Sequence, residues 1–437
     1  MNVKYIFLTL AIVISISFLK YPIDGYDTTG IARLYQLKKM RLENKKNTRI
    51  PIGAYKNLAD IKLNLLNKSN DSIESLLVDD PEFSKKMKQV IPAGNYSLSV
   101  LDMTNPEKLR YASYNENKGY QPGSVGKLAV LLAVMDQLEK LCPDWEDRAG
   151  YLKNIRVSAR YWGVGDHHTI PVYDIKTDKL TKRTVKADDV FSLYEWLDHM
   201  ISVSNNGAAS IMYREAMLMA AFQQEYFFLT DEKAENYFKT TSRATLTNLA
   251  NTVVNEPLRK LGITEEEWKL GGMFTRSAEK YVGRKGGSIG SPKGLMKFLA
   301  QIEQGKAVDK AASLEMKRLM YSTDRRIRYA RSPRLDSAAV YFKSGSYYKC
   351  DRALDPNCKS YAGNVYNYMN SVIIVEHPNN SKYIVCLMSN VLNKNSAGNH
   401  LYLASKIDDN INDFSKASKT VIRETEYKEE KDESGGN

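Results

Sequence analysis

Three short motifs, which follow one another in a fixed order along this 437-residue chain, carry the side chains needed for serine-based acyl transfer. They are Ser124-Val125-Gly126-Lys127, Ser204-Asn205-Asn206 and Lys343-Ser344-Gly345. A serine hydroxyl becomes a useful nucleophile when a neighbouring base accepts its proton, and a buried lysine can be that base. The first motif therefore predicts a nucleophile beside a base, the second a polar wall, and the third a strand that binds substrate.

The first motif stands out by its context, because Ser-x-x-Lys occurs four times in the chain. Pro122-Gly123 precede the copy at Ser124, and the apolar, helix-forming run Leu128 to Met135 follows it. Residues three apart share one face of a helix. We therefore expect Lys127 beside the Ser124 hydroxyl at a helix N-terminus, where backbone amides face developing negative charge. The alternative is a capping serine with a solvated lysine.

The second motif follows an apolar stretch and precedes an Ala-rich helix predicted to begin near Gly207. In this position Ser204 could relay a proton to a leaving nitrogen. Asn206 could bind a substrate amide and hold Lys127 in place. The alternative is an ordinary helix N-cap with asparagines in a turn.

The third motif is the only Lys-Ser/Thr-Gly sequence in the chain, and it ends a stretch that is typical of a β-strand. The cation of Lys343 could anchor a substrate carboxylate, with help from the Ser344 hydroxyl. Gly345 allows close approach of the backbone. The amide of Ser346, together with that of Ser124, could form an oxyanion hole. The alternative is a strand that ends in a solvated lysine and a turn glycine.

The order and contexts of these motifs resemble the penicillin-recognising serine hydrolases, and most closely their class A β-lactamase branch. The similarity runs from about Phe83 to Phe414: Tyr96 to Asp102 resembles the first strand of that family, and Val372 to Val375 and Tyr383 to Leu387 resemble its last two. The resemblance implies an α/β (α+β) fold, with an antiparallel sheet flanked by helices and an inserted all-helical subdomain. The motifs would meet at the seam between them.

The sequence departs from the family pattern at two places. The aspartate of the family's second motif is Asn205 here, which removes a charge. Class A β-lactamases also carry Glu-x-x-Leu-Asn between the second and third motifs, and this glutamate activates the deacylating water. Glu279 lies in the corresponding stretch but lacks the asparagine, and the alternative is a solvated surface glutamate. We therefore expect acylation to be faster than deacylation.

Four segments are predicted along the chain. Residues 1–20 form a signal peptide or N-terminal anchor, because an uncharged apolar run follows a single lysine. Residues 21–82, the accessory segment, are expected to contain a helix over 30–46 and a strand over 61–66. Residues 83–414 form the hydrolase-like domain. Residues 415–437 form a charged tail that is predicted to be disordered.

Within the domain, the sequence predicts strands at 96–102, 109–114, 338–346, 370–376 and 382–389, and a closing helix from about 400 to 414. The interval from Leu128 to about Gly290 is expected to be mainly helical. A loop-rich stretch, Trp162 to Asp189, interrupts it and lengthens the separation between the first two motifs.

Cysteine usage agrees with export. Cys350 and Cys358 are eight residues apart, a spacing that a disulfide closes easily in an oxidising compartment, whereas Cys142 and Cys386 are expected to be unpaired. No Cys/His spacing resembles a metal site, and His167-His168 is interpreted as a polar loop. We expect neither a metal nor another cofactor.

The formal net charge of +12 favours contact with an anionic envelope surface, although generic solubility explains it equally well. Lysine and arginine are dispersed and no nucleic-acid motif is present, so we expect no nucleic-acid partner. The leading interpretation is an exported, periplasmic or extracellular serine hydrolase acting on a small β-lactam or a peptidoglycan-like substrate. The alternatives are a D,D-peptidase, transpeptidase or esterase and, from another class, a non-catalytic envelope binding module.

Overall fold

The computed structural model describes residues 24–42, 56–324 and 326–413. Its strands are β1 Tyr96–Asp102, β2 Arg110–Tyr114, β3 Arg156–Ser158, β4 Ile170–Asp174, β5 Lys179–Arg183, β6 Val190–Ser192, β7 Trp268–Lys269, β8 Ile289–Gly290, β9 Ala339–Lys349, β10 Tyr366–Glu376 and β11 Lys382–Asn390.

The α-helices in the described ranges are α1 Gly25–Thr29, α2 Ala32–Leu42, α3 Ile73–Leu76, α4 Pro81–Val90, α5 Lys127–Leu141, α6 Trp145–Asn154, α7 Leu193–Ile201, α8 Asn206–Phe222, α9 Asp231–Thr240, α10 Arg243–Lys260, α11 Pro292–Glu303 and α12 Lys310–Tyr321, and a last helix, α13, over residues 396–413.

The main sheet has five antiparallel strands in the spatial order β2-β1-β11-β10-β9. Strands β1 and β11 pair, so the two ends of the domain meet in the middle of the sheet. Every residue of β1 is buried because helices cover both faces. One face packs on α4 and α13, and the other on α5, α11 and α12. The predicted fold class and the five predicted strands of the sheet are confirmed.

A helical layer built from α5 to α10 lies between β2 and β9 in the chain. Helix α5 runs through its centre and is buried on every side as far as Leu138, which explains its continuous apolar sequence. The stretch Trp162–Asp189, expected to be a loop, also contains the hairpin β4–β5. Because β5 is charged, it lacks the alternation of apolar residues by which a strand is predicted from sequence, and the hairpin was not predicted.

The accessory segment packs on this domain. Helix α2 lies inside the predicted helix over 30–46, and residues 43–46 lie outside the described residues. The prediction of a strand over 61–66 is wrong. Ile61, Leu63 and Leu65 are buried as an alternating pattern requires, but the Leu65 amide donates to the carbonyl of Glu303 at the end of α11 (3.0 Å). Residues 61–66 therefore pack against the end of a helix, which cannot form the ladder of backbone hydrogen bonds that a strand needs.

The loop between β9 and β10 is closed by the predicted disulfide between Cys350 and Cys358, with Cα atoms 5.8 Å apart. Cys142 and Cys386 carry free thiols, also as predicted. The predicted leader (1–20) and charged tail (415–437) lie outside the described residues. Within the ranges that the structure covers, no helix is both long and apolar enough to cross a membrane.

Candidate active site

Ser124 lies in a single 3-10 turn, Gly123–Gly126, which leads directly into α5 at Lys127. The sequence predicted the first turn of the α-helix instead. The difference does not separate the two side chains, because a 3-10 helix has three residues per turn and aligns positions i and i+3. The Nζ atom of Lys127 is 2.7 Å from the Oγ atom of Ser124.

Lys127 is fully buried, and its amine has four oxygen neighbours. Two of them can only accept hydrogen bonds from it: the carbonyl of Ser204 (2.9 Å) and the Oδ1 atom of Asn206 (2.6 Å). Burial lowers the pKa of Lys127 to about 7. A neutral amine gives its two N–H groups to these acceptors, which leaves its lone pair for the Ser124 hydroxyl.

The second motif forms the turn between α7 and α8. Ser204 has a left-handed backbone, with a φ of 61°, a strained conformation that is frequent at functional sites. This turn places the Ser204 hydroxyl between two lysines. It lies 3.4 Å from the Nζ atom of Lys127 and accepts a hydrogen bond from the Nζ atom of Lys343 (2.8 Å).

Asn205 and Asn206 begin α8 and contact a loop that the sequence analysis did not select. The Oδ1 atom of Asn205 caps the helix by accepting from the Ala208 amide (2.7 Å), and its Nδ2 group donates to the carbonyl of His168 (2.7 Å). Asn206 donates to the carboxylate of Asp166. The loop-rich stretch before β4 is therefore part of the site, and His168, interpreted as a plain polar loop residue, lines the cleft.

Strand β9 lies against the Ser124 turn at Gly345. A Cβ atom added to Gly345 would be 2.7 Å from the amide nitrogen of Ser124, so only glycine permits this approach. The next residue, Ser346, is close to Gly123 on the same turn, which itself has a left-handed φ of 53°. The amides of Ser124 and Ser346 thus belong to backbone segments that are in direct contact.

Lys343 is buried at the centre of β9, and its Nζ atom also donates to the carbonyl of Ser344 (3.0 Å). Burial, with Lys127 and Arg328 nearby, lowers the pKa of Lys343 well below its ordinary value. Arg328 donates to the hydroxyls of Ser344 (2.8 Å) and Ser346 (3.0 Å). The sequence analysis missed Arg328, which begins a short 3-10 turn, Arg328–Arg331, with no motif to mark it.

Glu279 does not reach this site, which corrects its selection as a candidate catalytic residue. Its carboxylate pairs with Arg284, five residues on (2.8 Å to Nε), and the side chain does not line the cleft. The ring of Phe274, from the same loop, instead lies 5.2 Å from the Nζ atom of Lys127. The position of Glu279 between the second and third motifs therefore did not predict where its side chain lies.

The groups face a cleft of about 1030 Å³ between the sheet and the helical layer. The predicted site residues that line it are Ser124, Ser204, Asn206, Lys343, Ser344 and Ser346. Asp324 is the one carboxylate among the described residues of its wall, and it pairs with Lys182 of the β4–β5 hairpin (3.2 Å). The arrangement presents a hydroxyl, an adjacent amine base and a cationic rim to an incoming acyl compound.

The fold and the three motifs define a β-lactamase-like protein. A family model described as the β-lactamase enzyme family matches residues 82–413. The chain therefore belongs to this family. None of the curated proteins matches the sequence.

Solved structures with a TM-score of at least 0.50 give the same fold at low identity. The extended-spectrum β-lactamase TLA-3 is 15% identical with a TM-score of 0.51, over 76% of this chain and 98% of that one. A class A β-lactamase from Bacteroides cellulosilyticus is 15% identical with a TM-score of 0.50, over 76% of this chain and 99% of that one. PBP-A is 12% identical with a TM-score of 0.48, over 78% and 98%.

Proposed function

We propose that the protein is a serine enzyme that forms an acyl-enzyme on Ser124 from a β-lactam or a related amide. The observation that carries this proposal is the buried Lys127 amine, 2.7 Å from the Ser124 hydroxyl and with a pKa lowered to about 7. A lysine in this state is substantially neutral at physiological pH and can accept a proton.

In the first step, the Ser124 oxygen attacks the carbonyl carbon and its proton passes to Lys127. The carbonyl oxygen becomes an oxyanion. The amides of Ser124 and Ser346 supply hydrogen bonds to it, and the close contact of Gly345 with the Ser124 turn sets their spacing. Removing one such donor typically costs about 10²–10³ in rate, so this contact matters for the chemistry.

In the second step, the carbon–nitrogen bond breaks and the leaving nitrogen takes a proton. Ser204 is placed to deliver it, because its hydroxyl lies between the amines of Lys127 and Lys343. The proton removed from Ser124 can return through Lys127 and Ser204 to the nitrogen. The step therefore balances with no further co-reactant.

A substrate carboxylate would bind at the Lys343 end of the cleft. Arg328 and Lys343 converge there with the hydroxyls of Ser344 and Ser346. Burial, together with repulsion from the nearby Lys127 and Arg328, lowers the pKa of Lys343. A bound carboxylate would relieve this repulsion and favour the protonated lysine.

Hydrolysis of the acyl-enzyme needs a second base, and this site supports it poorly. Glu279 is engaged with Arg284, and Phe274 presents an apolar ring near Lys127. Loss of a positioned general base typically costs about 10²–10⁴ in rate. We therefore propose a long-lived acyl-enzyme, with slow rather than rapid β-lactam hydrolysis.

A cell-wall D,D-peptidase or transpeptidase is the second candidate. The cleft volume of about 1030 Å³ favours it, because ligand pockets usually range from about 300 to 1,000 Å³ and a peptide needs the upper end. Such a substrate would be met outside the cytoplasm. The apolar N-terminal run and the disulfide between Cys350 and Cys358 support this location.

Labelling with a fluorescent penicillin tests the proposal. Wild type and Ser75→Ala, which removes an exposed hydroxyl on α3, should label equally, and Ser124→Ala should not label. Equal labelling of Ser124→Ala and wild type would show that another residue is the nucleophile. If folded wild-type protein labels with neither a penicillin nor a D-Ala-D-Ala thioester, the acyl-enzyme proposal fails.

A further inference from the structure

We propose that Asp166 is a positioning residue for the catalytic lysine, and that it supplies from a separate loop the carboxylate that the second motif lacks. The inference rests on the proposed role of Lys127 as base. It assigns a function to the loop before β4 and explains why Asn205 can replace an aspartate.

The carboxylate of Asp166 is surrounded by N–H donors. Its Oδ2 atom accepts from the backbone amide of Asn206 (2.6 Å), and its Oδ1 atom accepts from the Nδ2 group of Asn206 (3.1 Å). The Nδ1 atom of His168 lies 2.8 Å from Oδ1. The Asp166 side chain is only 5% exposed. Because these neighbouring groups donate hydrogen bonds, Asp166 accepts them as an ionised carboxylate.

These contacts fix the orientation of the Asn206 side chain. Because Asp166 binds the Nδ2 group, the Oδ1 atom must face the other way, and it lies 2.6 Å from the Nζ atom of Lys127. An amide free to rotate could turn its NH₂ group toward the lysine instead. Two donors would then face each other, and the amine would lose the acceptor that directs its lone pair to Ser124.

The charge of Asp166 also acts on Lys127. Burial opposes ionisation of Asp166, but the hydrogen bonds from His168 and Asn206 lower its pKa to about 2. Desolvation lowers the pKa of Lys127, and the negative charge of Asp166 partly reverses this effect. These opposing effects leave the pKa of Lys127 at about 7.

Asn205 connects the loop to the motif. Its Nδ2 group donates to the carbonyl of His168, two residues after Asp166 (2.7 Å). An aspartate at position 205 would have no donor for this carbonyl, and it would place a second negative charge close to Asp166. The amide at 205 and the carboxylate at 166 therefore form a matched pair.

The test compares wild type with Asp166→Asn, Asp166→Glu and the double variant Asp166→Asn/Asn205→Asp. Two quantities are measured: the rate of acylation by penicillin against pH, and the titration of the Lys127 side chain by NMR of ¹³C-lysine-labelled protein. The Lys127 signal is assigned by its absence in Lys127→Met. Asp174→Asn, on the exposed turn of the β4–β5 hairpin, is the matched control, and thermal unfolding monitors the fold.

In Asp166→Asn, acylation should fall about 10- to 100-fold, as expected for a lost charged hydrogen bond, and the Lys127 midpoint should move to lower pH. Asp166→Glu retains the charge, so its midpoint should stay near that of wild type even where its rate falls. The double variant restores a negative charge at position 205 but leaves the His168 carbonyl without its donor, so its Lys127 midpoint should return toward that of wild type while its acylation rate stays low. Asp174→Asn should behave as wild type.

A purely structural role would lower the melting temperature without moving the Lys127 midpoint. An unchanged midpoint in folded Asp166→Asn, together with an acylation rate within twofold of wild type, would overturn the inference. If Asp166→Asn does not fold, a shifted Lys127 midpoint in Asp166→Glu would also overturn the inference. The NMR titration needs no substrate, so failure of wild type to label would count against the proposed function alone.

Discussion

Replacement of Gly345 by alanine should separate strand β9 from the turn that carries Ser124. The added Cβ atom would overlap the carbonyl oxygen of Pro122 and lie 2.7 Å and 2.9 Å from the amide nitrogens of Ser124 and Val125. All three neighbours are backbone atoms, so none can rotate away. Strand β9 and the turn must move apart by about 1 Å to restore ordinary contact distances of about 3.5–4.0 Å.

A shift of about 1 Å near reacting groups costs about 10²-fold in rate, and overpacking of a close contact costs about 1–3 kcal/mol in stability. We therefore expect Gly345→Ala to lower the second-order acylation rate constant about 100-fold in a stopped-flow assay with a fluorescent penicillin. Urea unfolding should show the loss in the free energy of unfolding.

Gly150→Ala is the matched control, because no heavy atom lies within 4 Å of the added Cβ atom in the middle of α6. It should leave acylation unchanged and raise the free energy of unfolding by about 0.5–1 kcal/mol, the usual gain for this exchange in a helix. An acylation rate of Gly345→Ala within threefold of wild type would refute the proposed role of this contact.

Three further predictions concern the base, the loop glutamate and the accessory segment. Below pH 7 the acylation rate should rise about tenfold per pH unit and then level off, because the pKa of Lys127 is about 7 and its neutral form accepts the proton; a flat profile from pH 5 to 9 would contradict this. Glu279→Gln should change the lifetime of the acyl-enzyme less than twofold in a mass-spectrometric time course, whereas a 100-fold longer lifetime would identify Glu279 as the deacylating base. Arg33→Met should lower the free energy of unfolding by about 3–5 kcal/mol, because it leaves the fully buried Asp198 carboxylate of α7 without its cation; a loss below about 1 kcal/mol in urea unfolding would show that the pair is dispensable.

Local sequence patterns predicted the parts of the site that depend on short separations. The spacing of Ser124 and Lys127 predicted their contact, and it survives the change from an α-helical to a 3-10 turn because both align residues three apart. The apolar runs around 96–102 and 370–389 predicted the strands of the sheet. In these cases neighbouring residues determine the geometry.

Contacts between distant segments were beyond such patterns. Asp166 lies 40 residues before Asn206, and only the packing of the loop before β4 against α8 brings them together. The alternation at 61–66 correctly marks buried residues, but a helix end provides the hydrogen-bond partner. Glu279 was selected by its order in the chain, whereas a local ion pair with Arg284 decides its position.

The central claim is that Ser124 becomes acylated with the help of Lys127. Its most direct test is incubation of the intact protein with benzylpenicillin, followed by intact mass measurement and peptide mapping. We predict a mass increase equal to one intact benzylpenicillin, located on the peptide that contains Ser124 and persisting through removal of free drug. An adduct on any other residue, or folded protein whose mass does not change while benzylpenicillin remains intact in solution, would contradict the claim.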